Sequence, residues 1–186
     1  MIYLASKSPR RKQLMELTDF EFVVMASNAS ESGTQNMNPK ETVEYLSRVK
    51  AEAVYYKVLE NDIIIGSDTV VSYGNIILGK PKDKKDAYDM LKMLSGKTHS
   101  VFTGVTIIKK GNPDIKKTFS SETKVEFYEL TEKEIEDYIK TGEPYDKAGA
   151  YGIQEKGALF VKALQGDFFN VVGLPVAKLS KELKCL

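Results

Sequence analysis

Tryptophan is absent from this 186-residue chain, and cysteine and histidine occur once each. Cys185 has no partner for an internal disulfide, so a reducing compartment fits. One cysteine and one histidine do not make a structural zinc site. A Ser-His-Asp or Cys-His site would have to use His99, in Lys97-Thr98-His99-Ser100-Val101, where a strand begins and no nucleophile motif is near. His99 therefore reads as structural, and any chemistry falls to carboxylates, lysines and arginines. No apolar run approaches the roughly 20 residues of a membrane span. Met1-Ile2-Tyr3-Leu4-Ala5 is too short for a signal peptide, so a soluble cytoplasmic protein with no membrane partner is expected. Neither sign of charge is in excess, with 27 Lys+Arg against 26 Asp+Glu. A stable nucleic-acid partner is not expected of so neutral a chain. Phosphate chemistry would need a local cluster of cations.

The apolar fraction of 42% suffices for a core, and the length suits one domain over residues 1–186, with two lobes around a cleft. Ile2 to Ala5 reads as a short buried strand, and Phe20 to Ala26 as a second. Ser8-Pro9 opens a helix whose apolar side is Leu14, Met15 and Leu17. Ser27 to Met37 is a polar loop. Asn38-Pro39-Lys40-Glu41 starts a helix running to about Leu59. Asp62 to Gly66 and Thr69 to Tyr73 read as strands, the latter paired with Ile76 to Leu78 across Gly74-Asn75. Asp83 opens a helix closed by Ser95-Gly96. Ser100 to Lys109 and Lys116 to Tyr128 are longer strands. Thr131 to Glu134 is a capping box, with Gly142 ending its helix. Asp146 to Gln154 is an irregular loop, Leu159 to Val161 a short strand, and Pro175 opens the last helix. Helices alternating with strands and hairpins indicate an α/β fold around a mixed sheet.

Five segments could carry chemistry. The first is Ser6-Lys7-Ser8-Pro9-Arg10-Arg11, a helix start directly after a strand, where unpaired N–H groups and the helix dipole favour an anion. Ser6 and Ser8 add hydroxyls, and Arg10 and Arg11 add guanidinium forks suited to phosphate. An ordinary capped helix would leave two first-turn arginines, which oppose the dipole, unexplained. The second is Lys50, on the same helical face as Val43 and Leu46. It is either a lysine snorkelling from the apolar stripe or one pointing into a cleft. The third is Gly66-Ser67-Asp68-Thr69, which follows a buried strand. Asp68 there could accept a proton or meet a metal, or could be a turn aspartate bonded to its own backbone. The fourth is Gly79-Lys80-Pro81, a lysine fixed before a helix, without Walker A spacing. The fifth is Asp146-Lys147-Ala148-Gly149-Ala150-Tyr151-Gly152-Ile153-Gln154. Its small residues admit close backbone approach, and Gln154 could read a base edge through its amide.

Taken in order along the chain, these segments resemble the Maf (septum formation inhibitor Maf) family of nucleoside triphosphate pyrophosphatases. Lys50-Ala51, Leu94-Ser95-Gly96-Lys97-Thr98-His99 and Val172-Gly173-Leu174-Pro175 extend the match nearly end to end. The resemblance implies an elongated two-lobed α/β fold with a central mixed, twisted sheet, related to inosine triphosphate pyrophosphatases. It implies hydrolysis of dTTP and UTP to the monophosphate and pyrophosphate, with modified pyrimidine nucleotides left open. It also implies a divalent cation (Mg²⁺ or Mn²⁺) and, in many members, a homodimer. By motif position Asp68 matches the proton acceptor, and Arg10, Thr69 and Gln154 match positions of substrate choice. Glu31 matches the functional glutamate of the early loop and, with Asp68, would face the metal. The usual acidic neighbour of that glutamate is Ser30 here, and Glu155-Lys156 stands where glycine is commoner. Ser6, Ser8, Arg10, Arg11, Lys50 and Lys80 would hold the triphosphate. The competing expectation is a nucleotide-binding regulator of septum formation with little turnover.

Overall fold

The computed structural model describes all 186 residues. Seven strands form one sheet: β1 (Ile2–Leu4), β2 (Phe22–Val24), β3 (Ile63–Tyr73), β4 (Ile76–Leu78), β5 (Thr98–Lys109), β6 (Ile115–Phe127) and β7 (Val161–Gln165). Their order is β2-β1-β3-β5-β6-β7, with β4 pairing β3 off this path. β1 is parallel to both β2 and β3, whereas β3–β4 and β6–β7 are antiparallel, so the sheet is mixed. The helices are α1 (Pro9–Met15), α2 (Pro39–Glu52), α3 (Lys84–Leu94), α4 (Glu132–Lys140), α5 (Phe168–Val172) and α6 (Val176–Lys184). None is long and apolar enough to cross a membrane.

Four helix starts follow directly from local side-chain chemistry. The hydroxyl of Ser8 accepts from the Arg11 N–H, with Pro9 in the first turn of α1. Asn38 with Glu41, and Thr131 with Glu134, make reciprocal capping boxes on α2 and α4. Asp83 caps α3 through the Asp86 N–H.

The hairpin β3–β4 across Gly74-Asn75, the end of α3 at Ser95 and the start of α6 after Pro175 are also as expected, whereas other boundaries moved. α2 ends at Glu52, and a single 3₁₀ turn (Tyr55–Lys57) replaces its expected extension to Leu59. The edge strand β2 keeps only Phe22–Val24. Leu17 lies beyond α1 and is exposed. Leu159 belongs to a 3₁₀ turn with its side chain in solvent, and the strand begins at Val161. α5 is an additional short helix. The two segments read on either side of Gly66–Thr69 are one strand, β3, because its polar residues find partners in place: Ser67 on the Gly173 carbonyl, Asp68 on Lys50, and Thr69 on Thr103.

The chain divides into two compact units, the first comprising Met1–Thr69, Thr103–Ser121 and Gly173–Leu186, the second Val70–Phe102 and Glu122–Val172. In the first, Ala5, Ala51, Val54, Val58, Ile64 and Ile108 form a buried cluster with Tyr3, Met25 and Tyr55 packed on it. In the second, α3 and α4 bury Ala87, Leu91, Leu94, Ile135 and Ile139. Two glycines in the first unit set a close approach. A Cβ on Gly66 would lie 2.1 Å from the Ser47 carbonyl oxygen, and one on Gly104 would lie 2.2 Å from that of Val43. These strands touch the backbone of α2 where any side chain would intrude. The contact at Gly66 places the last turn of α2, which carries Lys50, over the segment that follows Gly66.

Candidate functional site

The seating of α2 on Gly66 decides the fate of Lys50. Its ammonium contacts Asp68 Oδ1 and lies 2.8 Å from Glu31 Oε1. The Lys50 and Asp68 side chains are 15% and 11% exposed, and that of Glu31 is 64% exposed. The Glu31 arm sits in solvent and contributes little to stability. The Lys50–Asp68 pair is largely withdrawn from water, so removing either partner would strand a charge. Lys50 is thus directed at a carboxylate rather than snorkelling, and Asp68 is a strand residue rather than a turn aspartate.

The helix start at Ser6–Arg11 lies in the same unit. Ser6 is buried, and its hydroxyl accepts from the Ser8 N–H at 3.2 Å. The Ser8 hydroxyl is committed to capping α1. Arg10 is half-buried on the first turn. Arg11 reaches three groups of its own unit: Nε donates to the Gly173 carbonyl at 2.8 Å, one terminal nitrogen to Thr69 Oγ1 at 3.0 Å, and the other to Ser6 Oγ at 3.4 Å. Burial pushes the Arg11 pKa down, and the nearby Asp68 and Glu31 charges push it back up. The group remains a cation at neutral pH. Three of its five N–H donors are therefore spent inside the protein, leaving two for a ligand.

The Arg11 contact also sets the polarity at Thr69. Guanidinium only donates, so Thr69 Oγ1 accepts from it and can pass its own proton to Thr103 Oγ1, 2.9 Å away. Thr103 and the Gly173 carbonyl were not singled out from the sequence as site residues. The one signal for Gly173 was its place in Val172-Gly173-Leu174-Pro175; Thr103 sits mid-strand with no motif around it.

In the first unit, then, the structure brings together Ser6, Arg11 and Thr69 in one hydrogen-bonded group and Glu31, Lys50 and Asp68 in another. Lys80 and Gln154 belong to the second unit, and both are exposed. The Gly149 N–H donates to the Gly79 carbonyl at 3.0 Å, so the segment bearing Lys80 is bonded to the loop that leads to Gln154.

His99 is buried in the second unit. Its Nε2 lies 2.8 Å from the Tyr151 hydroxyl, and its ring meets Phe127 edge-on at 4.8 Å. Burial lowers its pKa to about 4, so it is neutral at pH 7. It supports the loop from beneath, which agrees with a structural reading.

As for a metal, no group of three or more His, Cys, Asp or Glu side chains converges in the chain. Glu31 and Asp68 are two hard oxygen donors that both meet the Lys50 ammonium. That donor set suits Mg²⁺ or Mn²⁺, which bind through one or two carboxylates and complete their shell with water and substrate phosphates. It does not suit a protein-only cage.

Comparison with known proteins bears on what this arrangement serves. A family model described as "Maf-like protein" matches residues 1–186. A protein of Bacillus pumilus (strain SAFR-032) named dTTP/UTP pyrophosphatase is 49% identical over 183 residues, covering 98% of this chain and 95% of that protein. One of Carboxydothermus hydrogenoformans with the same name is 51% identical, covering 98% and 97%. Among solved structures, a HAM1 protein from Coxiella burnetii superposes with a TM-score of 0.52 at 14% identity, covering 100% of this chain and 98% of that one, a likeness of fold alone.

Proposed function

The chain belongs to the Maf family, and from that premise we propose that it hydrolyses dTTP and UTP to the nucleoside monophosphate and pyrophosphate. It is a nucleotide pyrophosphatase by its full-length relatives at about half identity. The observation that carries the assignment of roles is the Lys50 ammonium held between Asp68 and Glu31. Two carboxylates and a cation gathered in this way supply charges that a phosphoryl-transfer site uses.

In this reading Ser6, Arg10, Arg11 and Lys80 hold phosphate oxygens, with the two uncommitted N–H groups of Arg11 available for the purpose. Ser8 contributes through the helix start it caps. Asp68 takes a proton from the attacking water as its oxygen bonds to the α-phosphorus. The bond from the α-phosphorus to the bridging oxygen breaks, and its electron pair leaves with pyrophosphate. Lys50, expected on the triphosphate, has its ammonium on Asp68 and Glu31 and in this reading orients the Asp68 carboxylate instead. Glu31 and Asp68 would hold a divalent cation, which supplies neutralisation of phosphate charge when bound. Arg10, Thr69 and Gln154 distinguish the base.

The test is pyrophosphate release over a panel of nucleoside triphosphates, with Mg²⁺ and with chelator. Release of orthophosphate in its place would refute the cleavage position. Asp68→Asn should lower kcat by about 10²–10⁴-fold in a folded protein, as expected for loss of a general base. Undiminished turnover by that variant would remove Asp68 from the role.

A further inference from the structure

Gln154 is exposed and sits at the tip of a turn whose two sides are held differently. On the side before it, Ile153 is buried, the Gly152 N–H donates to the Tyr138 hydroxyl at 3.1 Å, and Tyr151 is bonded to His99. On the side after it Glu155 and Lys156 are exposed, and the chain is buried again only at Gly157, which packs on the Gly152 backbone. Between Gln154 and Gly157 the side-chain tie is one of charge. Glu155 Oε2 lies 3.0 Å from the Lys147 ammonium.

Lys147 is an unusual lysine, only 7% exposed. Its ammonium also meets the Glu143 carbonyl at 2.8 Å and Asp146 Oδ1 at 2.7 Å. Three donors find three acceptors, so the group is saturated within the protein and is not a phosphate contact. Its stem runs beneath Gly152: a Cβ there would lie 2.5 Å from the Lys147 Cε. Lys147 therefore lies under one side of the turn and draws the other side in through Glu155.

We propose that Glu155 is a positioning residue, whose carboxylate closes the turn onto Lys147 and fixes where the Gln154 amide is presented to the substrate base. The proposal rests on the reading of Gln154 as a base-reading residue. Its chemical logic lies in the amide. Uracil and thymine offer an N–H beside a carbonyl oxygen, and cytosine offers the reverse order at the same edge. An amide free to turn over matches either pattern. Discrimination requires that its backbone be held, and the Glu155–Lys147 pair is the side-chain tie next to it on the side after Gln154.

The experiment compares Glu155→Ala, Glu155→Gln, Gln154→Ala and the Gln154→Ala/Glu155→Ala double variant, with KM and kcat measured for UTP and CTP. Glu155→Ala should raise KM for UTP about threefold to fivefold, the range of one partly exposed ion pair. The preference for UTP over CTP should fall by a like factor, with kcat held within about twofold. Glu155→Gln, which keeps an acceptor without charge, should lie between. On the Gln154→Ala background, Glu155→Ala should change nothing further. An equal loss on both backgrounds would make Glu155 a general brace and overturn the proposal. So would a strong effect of Gln154→Ala with none from Glu155→Ala. If Gln154→Ala alters neither KM nor preference, the base-reading role falls, and this proposal with it, while dTTP and UTP hydrolysis stands.

Discussion

Acidification should weaken this protein well above the range in which its carboxylates titrate, through one group. His99 is 2% exposed, and burial lowers its pKa from 6.5 to about 4. The folded value lies below the unfolded one, so between these limits the unfolded chain binds more protons. Stability from keeping His99 neutral is fully present above pH 6.5 and is lost as pH falls towards 4. Integrating between those two values, the unfolding free energy should drop by about 2 kcal/mol from pH 7 to pH 5. Asp62 also titrates abnormally: burial opposes its charge, but bonds from the N-terminal ammonium and the Leu59 N–H outweigh that and hold it below 3.8. The contribution of Asp62, like that of the exposed Asp137 with its pKa of about 2, is lost at lower pH than that of His99. Urea unfolding at pH 7 and pH 5 of the wild type and of His99→Gln isolates the effect. The glutamine can still meet the Tyr151 hydroxyl and does not titrate, so its stability should fall by about 2 kcal/mol less over the same interval. Parallel pH dependence in the two proteins would refute the reasoning.

Two further expectations concern the first unit. Gly66→Ala should cost about 3 kcal/mol or more in urea unfolding, because the added carbon meets backbone atoms of Ser47 and Ala51 that cannot move without shifting α2; stability within about 0.5 kcal/mol of wild type would show that the contact is looser than described. Arg11→Lys keeps the charge but loses the fork that joins Gly173, Thr69 and Ser6, so it should destabilise by about 1–2 kcal/mol and raise KM for dTTP; a variant matching wild type in both would reduce Arg11 to a point charge.

Much of the fold was legible because its signals are short-range. Ser8-Pro9, Asn38 with Glu41, Asp83 and Thr131 with Glu134 all cap helices where the sequence reading put them. Each cap involves atoms within about one turn of helix, so nothing distant can override it. The alternation of helices with strands likewise indicated a mixed sheet, and the ordered motifs pointed to the family. The boundaries that moved are those set by contacts far along the chain. Leu59 and Leu159 looked helical and stranded by their apolar character, yet both side chains ended in solvent because no surface lies opposite them.

The candidate site divides in the same way. Residue types and order alone determined which side chains are present: two arginines at a helix start, a lysine on an apolar helix face, an aspartate after a buried run. Sequence left Lys50 between snorkelling and a cleft, and Asp68 between a catalytic acid and a turn residue. Gly66 admits α2 to within backbone contact of β3 and so sets the Lys50 ammonium on the Asp68 carboxylate, which removes the snorkelling lysine and the turn aspartate. Arg11 was assigned to phosphate, yet three of its donors are spent on groups 5, 58 and 162 residues away. Partners at such separations leave no local pattern. A hydrogen bond is chosen by distance in space, and only the packed chain brings Gly173 and Thr69 to the same guanidinium.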